Sequence, residues 1–249
     1  MIPVAQLPES SSLLPAIACA AGATGLYAVL AAFGLRYDPG WSGPAESARA
    51  VAPPRLALGT GGLVVVAAVG AAVGVRGVPT GGYLVLLIGQ AALMAAAAVC
   101  DWRKWQLPLP FTLAGIALAC MGLVEAGSAV LWALAGITLV ASLVINALAT
   151  AGTWQGGDVL ASIWIALALP GSALLAFALG QIGVSVLARV RRWPARQRIP
   201  LGGAWLIVAV LLLAAPRPSD LLPSPLNSGL PTRAPRAMPS VQAHPLLER

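Results

Sequence analysis

Residues 80–108 read TGGYLVLLIGQAALMAAAAVCDWRKWQLP: an uncharged apolar run, then Asp101, two basic residues, and Leu107-Pro108. A helix of about 20 apolar residues spans the hydrocarbon of a bilayer. The run ends abruptly on a carboxylate. A second carboxylate, Asp158, opens another apolar run after Gln155-Gly156-Gly157. The whole chain has eight acidic residues, so two at the ends of otherwise uncharged helices are a large share of the supply.

With 59% hydrophobic and 9% charged residues, the 249-residue chain is too apolar for a water-soluble globule. Its apolar segments are continuous and lack strict in-out alternation, which implies helices rather than a barrel. The expected fold is all-α, a polytopic membrane helix bundle of about seven or eight transmembrane or membrane-embedded helices. A net charge of +7 would suit nucleic acid, but the arginines sit in short loops between apolar runs and read as a topology signal. No nucleic-acid partner is expected. Cys19, Cys100 and Cys120 are scattered without a CxxC pair, and the single histidine, His244, falls in a Pro-rich tail. Neither a metal site nor a disulfide framework is supported.

Spans are expected at about 12–35, 56–75, 80–100, 111–124, 128–150, 172–190 and 201–215. Residues 159–169 are too few to cross ~30 Å of hydrocarbon, so they form a short or re-entrant helix stopped by Pro170-Gly171. No basic segment precedes the first run, so that run is expected to be a retained helix rather than a cleaved signal. Pro108 and Pro110 interrupt the helix after Asp101. Residues 1–79 form an N-terminal two-helix region, 80–215 a second membrane domain, and 216–249 a disordered Pro-rich tail. Trp102, Trp105, Trp154 and Trp193 read as interfacial anchors. Asn146 and Gln181 are expected to make interhelical hydrogen bonds, and Glu125 to be solvated.

Arg36, Arg49, Arg55, Arg103, Lys104, Arg189, Arg191, Arg192, Arg196 and Arg198 collect on one side, whereas the short loops opposite hold Arg76. The first side is therefore expected to be cytoplasmic. Two spans separate Asp101 from Asp158, which places both on that face. Two carboxylates across a partly dry cleft share a proton, leaving one as general base toward water and the other as acid toward a carbonyl. Asp158 at a helix N-terminus would also serve as an N-cap. Glycines before it would let a peptide backbone approach, while Arg103 and Lys104 would bias the field and attract anionic lipid.

Asp101 followed by Leu107-Pro108 resembles the first aspartate box of type IV prepilin peptidases. Gly156-Gly157-Asp158-Val159 resembles their second box, the GxGD motif of intramembrane aspartyl proteases. Arg198-Ile199-Pro200-Leu201-Gly202-Gly203 resembles the Pro-containing segment that opens the family's last helix. The resemblance covers roughly residues 80–215, making that region the prepilin-peptidase-like domain. It implies an aspartic-type endopeptidase that removes basic leaders from prepilin-like or pseudopilin precursors in a type IV pilus or protein-secretion pathway. Asp101 and Asp158 would be catalytic. Gln155, Gly156, Gly157, Leu107, Pro108, Arg103, Lys104 and Pro200 would shape the site or bind substrate. No cofactor is needed, and the implied location is the cell inner (plasma) membrane, multi-pass, with the site facing the cytoplasm.

The sequence departs from the family pattern at Gln155, where strict GxGD has glycine, and at Leu160, where a lysine is usual. It also lacks the paired-cysteine domain that accompanies N-methylation, so no methyltransferase activity is expected. The departures motivate a second reading, a non-cleaving homologue that binds or scaffolds pilus or secretion components. A proton-coupled transporter would need acids near mid-span, and these spans have none.

Overall fold

The computed structural model describes residues 13–37, 54–76, 82–150, 156–192 and 200–214. Among them are eight α-helices and no strand: α1 (Leu13–Arg36), α2 (Pro54–Arg76), α3 (Gly82–Lys104), α4 (Leu109–Ala126), α5 (Ala129–Thr150), α6 (Gly156–Ala168), α7 (Ala173–Val190) and α8 (Leu201–Leu212). Each corresponds to an expected segment within a few residues. Gln155, Trp154, Trp193, the arginines at 196 and 198, and the tail with His244 lie outside the described residues.

α1 to α4 and α7 are long and apolar enough to cross a membrane, and Ala129–Val144, α6 and α8 are shorter apolar stretches. Among the described residues five helices are therefore candidate spans, fewer than the seven or eight transmembrane or membrane-embedded helices expected. Length excludes α6 and α8, which have 13 and 12 residues at a rise of 1.5 Å per residue, whereas α5 runs for 22 residues, with Ala129–Val144 as its described apolar stretch. Large apolar side chains such as Leu14, Leu63, Met121, Ile137, Val140 and Val190 face outward. A soluble monomer rarely exposes so much apolar surface, so the described helices mark a membrane protein.

α3 is the centre. It buries 72% of its most apolar window, against 22% to 39% for the other four long helices. Every residue from Gln90 to Asp101 is buried. Ala91, Ala92 and the run from Ala95 to Ala98 explain how: methyl side chains let neighbouring backbones approach, which drives helix packing where lipid offers no hydrophobic gain. α1, α2, α4 and α8 all pack on α3, while α6 packs on α4, α5 and α8. The Tyr27 hydroxyl ties α1 to α2 by donating to the Leu58 carbonyl at 2.8 Å.

A polar link crosses the apolar interior. Trp164 Nε1 on α6 donates to Gln90 Oε1 on α3 at 2.6 Å, and Gln90 Nε2 donates to the Gly115 carbonyl on α4 at 3.0 Å. Three helices are joined through one glutamine. The interhelical role expected of Gln181 falls to Gln90, because Gln181 is exposed on α7. The side chain of Asn146 lies outside the described residues.

Left-handed turns close α3, α4 and α6. α4 closes on Gly127 at φ +60°, whose N–H reaches the Leu123 and Val124 carbonyls at 3.2 and 3.0 Å. Gly171 at φ +86° makes the reversal between α6 and α7. α3 ends at Trp105, at φ +59°, whose N–H donates to the Asp101 carbonyl at 2.8 Å. An aromatic residue in the left-handed region costs backbone strain of the sort that accumulates at functional sites. The break thus precedes the prolines, and Pro108 instead starts α4, its carbonyl accepting from Phe111 and Thr112 at 3.0 and 3.2 Å.

Candidate functional site

Asp101 lies one turn inside α3 rather than at its last residue, because the helix continues to Lys104. Its side chain is buried, 7% exposed. The burial has a local compensation: Oδ2 accepts the Gly203 backbone N–H at 2.7 Å. Gly203 is the third residue of α8, and such a first-turn N–H has no partner inside its own helix. Asp101 therefore caps α8 from another helix, at the end where the dipole favours negative charge.

Asp158 belongs to the first turn of α6, which begins at Gly156. It is not the N-cap expected from the sequence, since the helix starts two residues earlier. An acid there still complements the dipole, and the Ser162 hydroxyl donates to the Asp158 backbone carbonyl at 2.9 Å. The side chain is half-buried.

The two carboxyls converge on one dipeptide. A Cβ placed on Gly202 would stand 3.1 Å from Asp158 Oδ1, and one placed on Gly203 would stand 2.9 Å from Asp101 Oδ2. They interact electrostatically across the N-terminus of α8. α8 can pack there because α3 and α6 both contact it and because residues 202 and 203 have no side chains. In the sequence, the Arg198-to-Gly203 segment offers Pro200 as its site residue; the structure adds Gly202 and Gly203. Pro200 is buried at the N-cap of α8, with its carbonyl accepting from Ala204 at 3.2 Å.

The other expected site residues divide. Leu107 wedges between the two glycine segments: its Cδ1 is 3.5 Å from a Cβ on Gly157 and 2.8 Å from a Cβ on Gly202. Pro108 is buried and sets the entry of α4. A Cβ on Gly156 would meet nothing within 4 Å, so packing does not demand glycine at that position. Arg103 is half-buried at the end of α3. Lys104 turns toward α1, where Nζ donates to the Tyr37 carbonyl at 2.9 Å and helps satisfy the end of that helix. Gln155 lies outside the described residues.

Trp102 is half-buried. Its indole Nε1 is shielded, lies against Gly203 and has no hydrogen-bond partner among the described residues. Among the described residues no group of three or more His, Cys, Asp or Glu could hold a metal ion. The chemistry available is that of two carboxyls, backbone N–H groups and an indole. Comparison with protein-family models, curated proteins and solved structures finds no match to this chain.

Proposed function

We propose that this chain is a membrane aspartic endopeptidase that cleaves the basic leader from prepilin-like or pseudopilin precursors at the cytoplasmic membrane face. The observation that carries the reading is the convergence of Asp101 and Asp158 on Gly202-Gly203. The order of the Asp-to-Leu-Pro, Gly-Gly-Asp and Pro-Leu-Gly-Gly segments supports the substrate class by resemblance. The excess of arginine and lysine in alternate loops supports the orientation.

In the proposed reaction one carboxylate takes a proton from water as its oxygen bonds to the scissile carbonyl carbon. The other carboxyl gives its proton to the carbonyl oxygen. The resulting diol collapses as the carbon–nitrogen bond breaks: the carboxyl that took the water proton gives it to the departing nitrogen, and the other, now a carboxylate, takes a hydroxyl proton from the diol, which restores the pair. No charge has to leave the pair during the first step, which suits a site partly screened from water.

Purified protein in bilayers, incubated with a precursor carrying a short basic leader and an apolar helix, is expected to release the leader at one junction identified by mass spectrometry. Intact precursor bound stably by folded protein would replace this reading with the non-cleaving one, which Asp101's capping bond to α8 favours. Within the cleaving reading, Gly203→Ala is expected to reduce processing on the order of 100-fold. Its methyl group would lie 2.9 Å from Asp101 Oδ2 and 2.6 Å from Trp102 Cδ1, so the carboxyl or α8 must shift. Gly136→Ala, whose methyl meets nothing within 4 Å, is the control. Equal rates for both variants would detach Gly203 from the site.

A further inference from the structure

The seam beside Asp158 is closed, and a side chain from outside the helices closes it. Leu107 belongs to the short stretch between α3 and α4. Its Cδ1 stands 2.8 Å from a Cβ on Gly202 and 3.5 Å from a Cβ on Gly157. Gly202 is also the residue that approaches Asp158, since the same Cβ would be 3.1 Å from Asp158 Oδ1. The leucine therefore fills the space between the starts of α6 and α8, next to one carboxyl. Close-packed side chains leave no room for a second chain, so no peptide lies there while the leucine does.

Little holds Leu107 in place. It is half-buried, Gln106 before it is exposed, and among the described residues neither takes part in a hydrogen bond. The stretch starts on Trp105 at φ +59°, a conformation that an aromatic residue keeps only while its surroundings impose it. Both ends are fixed. Lys104 Nζ donates to the Tyr37 carbonyl at 2.9 Å, and Pro108 is buried at the start of α4. Rotation about the Trp105 backbone thus moves Gln106 and Leu107 and leaves the helices where they are. The space so vacated is walled by two glycines and the Asp158 carboxyl, while Asp101 keeps its bond to the Gly203 N–H.

We propose that residues 105–107 are a strap over the site, with Leu107 as its latch: seated between Gly157 and Gly202 it shuts the resting protein, and the precursor enters by displacing it. The peptide next to the scissile bond then takes the vacated space beside Asp158. The inference rests on the endopeptidase reading and adds a means of regulation to it. A protein that must open before it binds has its apparent affinity reduced by the fraction already open. Closure is therefore carried by KM rather than kcat.

The test uses the full chain in bilayers with a leader-bearing precursor. Leu107→Ala removes the latch and is expected to raise kcat/KM on the order of 5- to 10-fold, mainly by lowering KM, while the unfolding temperature falls with the lost packing. A leucine that only supports the fold predicts a loss of activity that follows the loss of stability. Leu107→Cys combined with Gly157→Cys reads the closed position, because Leu107 Cβ is 3.5 Å from a Cβ on Gly157, a separation that a disulfide spans. Oxidation is expected to form the cross-link and stop cleavage, and reduction of the same sample to restore it. Wild type carried through both treatments controls for Cys19, Cys100 and Cys120. Cleavage by Leu107→Ala at or below the wild-type rate overturns the inference, as does a double variant that forms no cross-link or cleaves equally when oxidised; the endopeptidase reading then stands on the wild-type rate. Precursor left intact by folded wild type and folded Leu107→Ala alike overturns both.

Discussion

Asp101→Asn and Asp158→Asn are each expected to lower precursor cleavage by three or more orders of magnitude while leaving the fold intact. The proposed step needs one carboxyl to take a proton and the other to give one, and an amide does neither at neutral pH. Asparagine is the informative replacement at position 101. Its side-chain oxygen can still accept the Gly203 N–H that Asp101 now holds at 2.7 Å. Alanine would leave that buried N–H without a partner at a cost of about 1–3 kcal/mol, confusing loss of chemistry with loss of α8 packing. At position 158 the exchange removes a charge from the first turn of α6, a loss of roughly 0.3–1 kcal/mol. Rates of leader release, measured beside thermal unfolding in the same detergent, separate the two effects. Wild-type cleavage by either variant would remove that residue from the chemistry.

Gly115→Ala carries the largest expected loss of stability, about 3–5 kcal/mol, summing overpacking of the interior with the loss of buried hydrogen bonds. The added methyl would collide with the six-membered ring of Trp164, which is fully buried. Moving the ring breaks its bond to Gln90, and Gln90 in turn holds the Gly115 carbonyl. One methyl group therefore disturbs α3, α4 and α6 together. Trp164→Leu combined with Gly115→Ala is expected to recover part of the loss, since the smaller side chain leaves room for the methyl. The fraction remaining folded after heating in detergent reports both variants. A loss below about 1 kcal/mol for Gly115→Ala would mean that the helices can separate without cost at this contact.

The sequence made the helices legible because apolar runs, prolines and glycines mark them independently of tertiary contacts. It also located both aspartates at the ends of those runs. Packing decided the remainder. Gln90 is an ordinary polar residue within an apolar run until Trp164 and Gly115 are brought beside it. Gly202 and Gly203 look like flexible residues after a proline, yet each is the point where α8 meets a carboxyl. The apolar run suggests that α3 ends near residue 100, with the prolines at 108 and 110 barring any continuation, whereas the helix runs on to Lys104 and stops at Trp105 in a conformation that aromatic residues seldom adopt. Trp102 shows the same limit. Its neighbours in sequence suggest an interface anchor, and only the approach of α8 reveals which way its N–H is turned.

The claim that Asp101 and Asp158 form one catalytic unit is tested most directly by the double variant Asp101→Asn/Asp158→Asn. Groups that share a single step are strongly non-additive. Leader release by the double variant is expected to match that of either single variant, all at the same residual level. Single variants that each retain a substantial rate, with the double variant at the product of their losses, would show two carboxylates acting independently and would rule out a shared catalytic unit.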